Sequence, residues 1–253
     1  GKLRNPPMSS SPSKSYAYHA NLSPKTRVLN LFRHGMMNRY AEEFLIERIL
    51  RDGQSLWTKL VAPEYLYSAG TIRQIERGGL RFKLDISKTV DHIKYFGFED
   101  RGFTGFLSRL APQDTVVDVG ANVGLTVLEI AKRVNQGRVV GFEPSRSNYA
   151  RLTEHLRLNG CANVTTVNMG VGPKRDTVKL YDIVASNPGM KRILSEGAAE
   201  GAPSEVIEID RLDTQLSVAD VQRVNAMKID VEGFELHVLQ SCESVLKRDR
   251  PLL

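Results

Sequence analysis

The sequence predicts an α/β protein built on a doubly wound, mostly parallel sheet, with a helical appendage on its N-terminal side. Three observations carry that expectation. Residues 115–124, Thr-Val-Val-Asp-Val-Gly-Ala-Asn-Val-Gly, are an apolar run closed by a glycine loop, after which a helical pattern starts at once. Residues 137–144 make a second short apolar strand that ends in an acid, Glu143. From Thr115 onward strand-like and helix-like stretches alternate, which requires crossover connections and places helices on both faces of a parallel sheet.

The elements follow in chain order. Residues 1–26, rich in Ser, Pro, Lys and Asn, read as a flexible strap within a basic leader of residues 1–37. An appendage of residues 38–110 then opens with an amphipathic helix, expected to pack on the main domain. It carries Ala41, Phe44, Leu45 and Ile49 on one face and Glu42, Glu43, Glu47 and Arg48 on the other. Residues 80–86 alternate as a strand does, and residues 103–110 read as a helix leading into the main domain, residues 111–253.

There the strand at 115–119 feeds a helix over 125–134. The strand ending at Glu143 feeds a helix with Tyr149, Leu152 and Leu156 on one face, closed by Asn159-Gly160. Strands are expected over 163–168, 177–183 and 205–209, the last two flanking a Gly-, Ala- and Ser-rich lid-like loop at 185–203. Residues 226–233 read as a strand and its exit turn, before a helix bearing Leu236, Leu239, Cys242, Val245 and Leu246. A further apolar strand starts at Arg250-Pro251-Leu252-Leu253, so the domain reads as cut short at its C-terminus.

Composition narrows the function classes. A chain of 253 residues that is 41% hydrophobic can bury a full core, and no apolar stretch reaches the roughly 20 residues of a membrane helix. No membrane span is expected, and a cytoplasmic location is. Cys161 and Cys242 stand far apart, outside any Cys-x-x-Cys pair, and the five histidines lack ligand spacing, so no structural metal is expected. The net charge of +6 is uneven: residues 1–40 hold seven Lys or Arg and no acid, leaving −1 for the rest. A basic tail on a near-neutral body argues only weakly for nucleic acid.

The glycine loop and the acid define a candidate cofactor site. Gly120 and Gly124 permit a sharp turn, and Glu143, about 20 residues beyond the loop, sits where this fold class holds both hydroxyls of a ribose. A dinucleotide fingerprint needs a glycine at the middle of the loop to clear a pyrophosphate, and Asn122 stands there. Asp118 adds a negative charge beside the loop, which disfavours phosphate and suits the ammonium and sulfonium of S-adenosylmethionine. The loop is expected at the methionine end, and Asn168 or Met169, after the third strand, near the adenine. Asp118, Glu143, Asn168 and Asp230 all fall at strand ends, where such folds bind ligands.

Three motifs converge: Asp118-Val-Gly-Ala-Asn-Val-Gly124, Phe142-Glu-Pro144 with Asn148, and Lys228-Ile-Asp-Val-Glu-Gly233 followed by Glu235 and Leu239. Together they resemble the FkbM family of S-adenosylmethionine-dependent methyltransferases over roughly Leu84 to Leu253, with Gly97, Glu99 and Leu212-Asp213 matching further family elements. The resemblance implies a class I, Rossmann-like methyltransferase fold and methyl transfer to a hydroxyl oxygen on a sugar, polyketide or related small molecule. It assigns Glu99 to the methionine ammonium. Asp230 is the first candidate for the base or hydroxyl-orienting group and Glu232 the second, with only one of the two expected to face the cleft unless the turn starts early. A plainer role for Asp230 is as a cap of the helix that begins near Gly233.

Three rival readings are weaker. An RNA-directed methyltransferase draws on the basic leader, but this strand ends Ile-Asp-Val-Glu-Gly where amino-directed enzymes carry an Asn/Asp-Pro-Pro-aromatic turn, so no nucleic-acid partner is expected. A catalytically inactive binding module conflicts with the intact loop and Glu143, and a NAD enzyme conflicts with Asn122.

Overall fold

The computed structural model of the protein describes residues 22–52, 56–98, 100–182, 191–193 and 204–253. Two compact units emerge, Gly1–Ala62 and Pro63–Leu253. Glu99 and most of the loop at 185–203 lie outside the described residues.

In the smaller unit, helix α1 (Pro24–Gly35) occupies a stretch the sequence reading left in the flexible leader. Its start was written in Ser23-Pro24: the Ser23 hydroxyl accepts from the Thr26 amide at 3.2 Å, and proline suits a first turn. Helix α2 (Arg39–Asp52) buries Leu45 and Ile49 as expected. It also buries Glu42, expected on the outer face, because Glu42, Leu45 and Ile49 fall on one helical stripe. Phe44 meets Trp57 edge-on at 5.5 Å between ring centroids, with the Arg48 guanidinium over both rings.

The larger unit opens with a hairpin, β1 (Ile72–Arg77) and β2 (Leu80–Asp85), joined by Gly78-Gly79. Both glycines have positive φ, as a two-residue hairpin turn of the primed types requires. Helices α3 (Thr89–Phe96) and α4 (Arg101–Arg109) follow. Then come β3 (Thr115–Val119), α5 (Leu125–Arg133), β4 (Arg138–Phe142), α6 (Arg146–Asn159) and β5 (Val164–Val167). The hairpin is tied to α6. The Asn159 amide bonds the Arg81 backbone on both sides, and buried Asp91 accepts from Arg151 at 2.5 Å and from the Asp85 amide at 2.7 Å. Burial raises the pKa of Asp91, and Arg151 opposes that shift.

After β5 the expected alternation breaks. Strands β6 (Gly170–Val171), β7 (Asp176–Asp182), β8 (Lys191–Ile193) and β9 (Glu205–Asp210) follow, with no helix between them among the described residues, and form a separate sheet of order β6-β9-β7-β8. β7 runs antiparallel to both β8 and β9, and β8 falls inside the stretch read as loop. Helix α7 (Leu212–Val218), strand β10 (Ala226–Ile229) and helices α8 (Glu235–Gln240) and α9 (Glu243–Asp249) complete the unit; the single last helix expected from the sequence is two.

The principal sheet has the order β10-β3-β4-β5, all parallel. Leu252 extends it by pairing in parallel with Ala226. Side-chain alternation splits two cores across this sheet. Val117, Val119, Val140, Phe142 and Met227 pack with Leu212, Val238 and Val245 of α7 to α9 on one face. Val116, Val139 and Ala226 pack with Val127, Ile130 and Leu152 of α5 and α6 on the other. The doubly wound class read from the sequence is therefore the observed one.

The connection into β5 illustrates how loops close helices here. The Asn163 side-chain amide donates to the Ala131 and Val134 carbonyls, both at 3.0 Å, at the open end of α5. Asn163→Ala is expected to lower stability by about 1–2 kcal/mol in urea unfolding, since it removes two hydrogen bonds at that helix end, although the Val134 carbonyl keeps the Gly137 amide.

Candidate active site

The carboxyl ends of β3, β4 and β10 open into one cleft with about 1040 Å³ of free space, its mouth included. Its walls carry Val90, Phe142, Met169, Val171, Leu180 and Phe234. Gly120, Asn122, Glu143, Asp230 and Glu232 also line it.

Glu143 follows β4 and is 5% exposed. Its carboxylate accepts from the Asn122 amide at 2.8 Å, the Ser145 amide at 2.9 Å and the Asn148 side chain at 3.4 Å. These bonds fix the orientation of the carboxylate. Asn122 reaches its position in the left-handed region, φ +50, which Asn tolerates better than most residues.

The loop contributes shape more than free donors. The Gly120 and Ala121 amides both donate to the Phe142 carbonyl and the Gly124 amide donates to Ala121. Gly120 and Gly124 are glycines for reasons internal to the protein. A Cβ on Gly120 would stand 2.0 Å from the Asp230 carbonyl oxygen, and one on Gly124 would stand 2.4 Å from Leu152 Cδ1.

Asp118 does not line the cleft; it is fully buried. Strand alternation turns its side chain toward α5, and the register sets it opposite Lys228. Its carboxylate accepts from Thr126 Oγ1 at 2.7 Å and pairs with Lys228 Nζ at 3.2 Å. A charge neutralised in this way does not act as a free anion beside the loop, so the argument that Asp118 repels phosphate fails. Lys228 also reaches Asp230 at 3.4 Å. Burial opposes the Lys228 charge, but Asp118 and then Asp230 outweigh it and raise its pKa.

Asp230 and Glu232 both line the cleft. Strand β10 stops at Ile229 and Glu232 lies at φ +53, so the turn starts early enough to bring both carboxylates round. The Asp230 side chain is 65% exposed and caps no helix: α8 starts at Glu235, whose own carboxylate accepts the Gly233 amide. Asn168 lies away from the cleft, exposed, its amide holding the Glu143 and Pro144 carbonyls at 2.8 and 3.1 Å, while Met169 is on the wall. Glu99 lies outside the described residues. The sequence reading missed Val90, Leu180 and Phe234, whose apolar character matches that of core residues elsewhere and gives no signal of its own.

The chemistry of this lining decides what fits. Among the described residues of the wall the only cation is Lys228, and two carboxylates hold it, so the wall offers a phosphate no unpaired cation. An acid and an apolar wall lining one cleft suit a ribose and an adenine.

The methyltransferase FkbM domain, as a family pattern, matches residues 118–253, more than half of the chain. The chain belongs to the FkbM methyltransferase family. S-adenosylmethionine is the cofactor of that family, and the residues present fit it. The chain is 25% identical over 150 residues to Methyltransferase 1 of Beauveria bassiana (strain ARSEF 2860), a match covering 52% of this chain and 60% of that protein. It is 24% identical over 177 residues to the hexuronic acid methyltransferase AglP of Haloferax volcanii, covering 70% of each. The crystal structure of an FkbM methyltransferase from Methylobacillus flagellatus KT aligns with a TM-score of 0.43 at 20% identity, over 62% of this chain and 38% of that one. The match thus spans well short of the full length of these relatives. Among the described residues no cluster of His, Cys, Asp and Glu could hold a metal, and no helix is long and apolar enough to cross a membrane.

Proposed function

We propose that this FkbM-family chain methylates a hydroxyl oxygen of a small molecule, with Asp230 as the proton acceptor. The observation that carries the reading is the placement of Asp230: an exposed carboxylate on the same cleft as Glu143, held from behind by Lys228. Bound there, S-adenosylmethionine supplies a methyl group on a sulfonium, an electrophile that leaves as a neutral thioether. Glu143 takes the two ribose hydroxyls, the apolar wall around Phe142 and Met169 covers the adenine, and the loop from Gly120 to Gly124 bounds the methionine end. Asp230 orients the acceptor hydroxyl and takes its proton as the new carbon–oxygen bond forms, and Glu232 lies close enough on the wall to bind the acceptor. The name of AglP supports a sugar as one acceptor class.

The test incubates the chain with S-adenosylmethionine carrying a deuterated methyl and a panel of sugars, polyketide alcohols, amines and RNA. A labelled methyl ether formed in equal amount to S-adenosylhomocysteine is expected. Labelled amine or RNA without any ether removes the proposal.

The cofactor half has its own check. Glu143→Ala is expected to weaken S-adenosylmethionine binding by about ten- to a hundredfold in calorimetry, the worth of hydrogen bonds to a charged group. Unchanged affinity removes the ribose role.

A further inference from the structure

Helix α1 is docked with its polar side inward. Asn30 is buried, and the half-buried Arg33 donates from Nη1 to Asn30 Oδ1 at 3.0 Å and from Nε to the Lys59 carbonyl at 3.0 Å, tying that side to the turn at Leu56–Leu60. The opposite side bears Val28, Leu31 and Phe32, spaced as one helical stripe and 54%, 72% and 68% exposed. Ordinary amphipathic helices do the reverse, burying the apolar stripe.

The concentration is not a general property of this surface. Of the thirteen large apolar side chains exposed among the described residues, seven fall between Val28 and Leu56. Arg27 lies four residues before Leu31, His34 three after it, and Lys25 three before Val28, so basic side chains flank the stripe. Residues 1–40 carry seven Lys or Arg and no acid.

We infer that α1 lies on a membrane surface rich in anionic lipid, its Val28, Leu31 and Phe32 stripe in the headgroup boundary and Lys25 and Arg27 against lipid phosphates. An exposed apolar stripe on a short helix, rimmed by basic side chains within a segment that carries no acid, is what interfacial anchoring requires. At 12 residues α1 lies on the bilayer and does not span it. A protein partner would also cover the apolar stripe, but the charge is one-signed over the whole segment, which favours a continuous negative surface over a mixed one. This surface belongs to the smaller unit and is independent of the methyl-transfer proposal.

The test uses the full chain in flotation with vesicles of phosphatidylcholine alone and of phosphatidylcholine with phosphatidylserine. Binding to the anionic vesicles, weakened by salt, is expected. Lys25→Glu or Arg27→Glu is expected to reduce it about fivefold each, and Leu31→Asp with Phe32→Asp by more than about tenfold. All four positions are exposed or flank the stripe, and unchanged circular dichroism and melting of the larger unit identify variants that remain folded. Equal binding to neutral vesicles overturns the electrostatic part. No binding to either vesicle overturns the inference, as does concentration-dependent dimerisation lost in Phe32→Asp or RNA binding that persists in it.

Discussion

Gly120→Ala is expected to destabilise the protein by roughly 3 kcal/mol or more, enough to leave a marginal domain largely unfolded at 25 °C. Two costs add. Residue 120 sits at φ +86, a conformation that costs an L-residue about 1–2 kcal/mol. The new methyl would also stand 2.0 Å from the Asp230 carbonyl oxygen and 2.9 Å from its carbonyl carbon. Both atoms are backbone, so relief requires the exit of β10 to move away from the end of β3. Gly160→Ala isolates the first cost: it caps α6 at φ +61 with nothing within 4 Å of the added carbon, and a loss of only about 1 kcal/mol is expected there. Urea unfolding of the two variants side by side decides the matter. If they differ by less than about 0.5 kcal/mol, the close approach of β3 and β10 is not what makes residue 120 a glycine.

That close approach was hidden in the sequence, while the strand it joins was plain. Val116, Val117 and Val119 announce a buried strand because parallel strands are apolar on both faces, and the Gly120 to Gly124 loop announces the turn. The place of Glu143 on the cleft, after β4, was legible from spacing. What the sequence did not show depends on contacts between distant residues. Asp118 reads as a free anion until the register of β3 and β10 places Lys228 opposite it, 110 positions away. The break into a second sheet after β5 was equally hidden, since β7 and β9 carry the same strand signals as a parallel pair, and only tertiary pairing makes them antiparallel. Helix α1 was missed for another reason. Its apolar residues face outward, so the pattern that marks a packed helix carries no packing, and only the Ser23-Pro24 start gave it away.

Asp230→Asn is expected to lower kcat by about 10²- to 10⁴-fold, the usual worth of a positioned base, with the affinity for S-adenosylmethionine unchanged. Glu232→Gln is expected to raise KM for the acceptor more than it lowers kcat. The reverse pattern would make Glu232 the base. Lys228 separates positioning from mere support. Lys228→Met alone strands the fully buried Asp118 carboxylate and is expected to cost about 3–5 kcal/mol of stability. Adding Asp118→Asn removes that orphan charge and is expected to restore most of the stability. Turnover should stay low in the double variant, because Asp230 still lacks the ammonium 3.4 Å away that holds it toward the cleft. The stability gap between wild type and double variant also carries a pH signature. The pKa of Lys228 is raised above its ordinary 10.5, so the paired lysine's contribution is fully present below pH 10.5 and is lost as pH climbs through the raised value. A double variant with wild-type kcat would show that the ion pair serves only the fold.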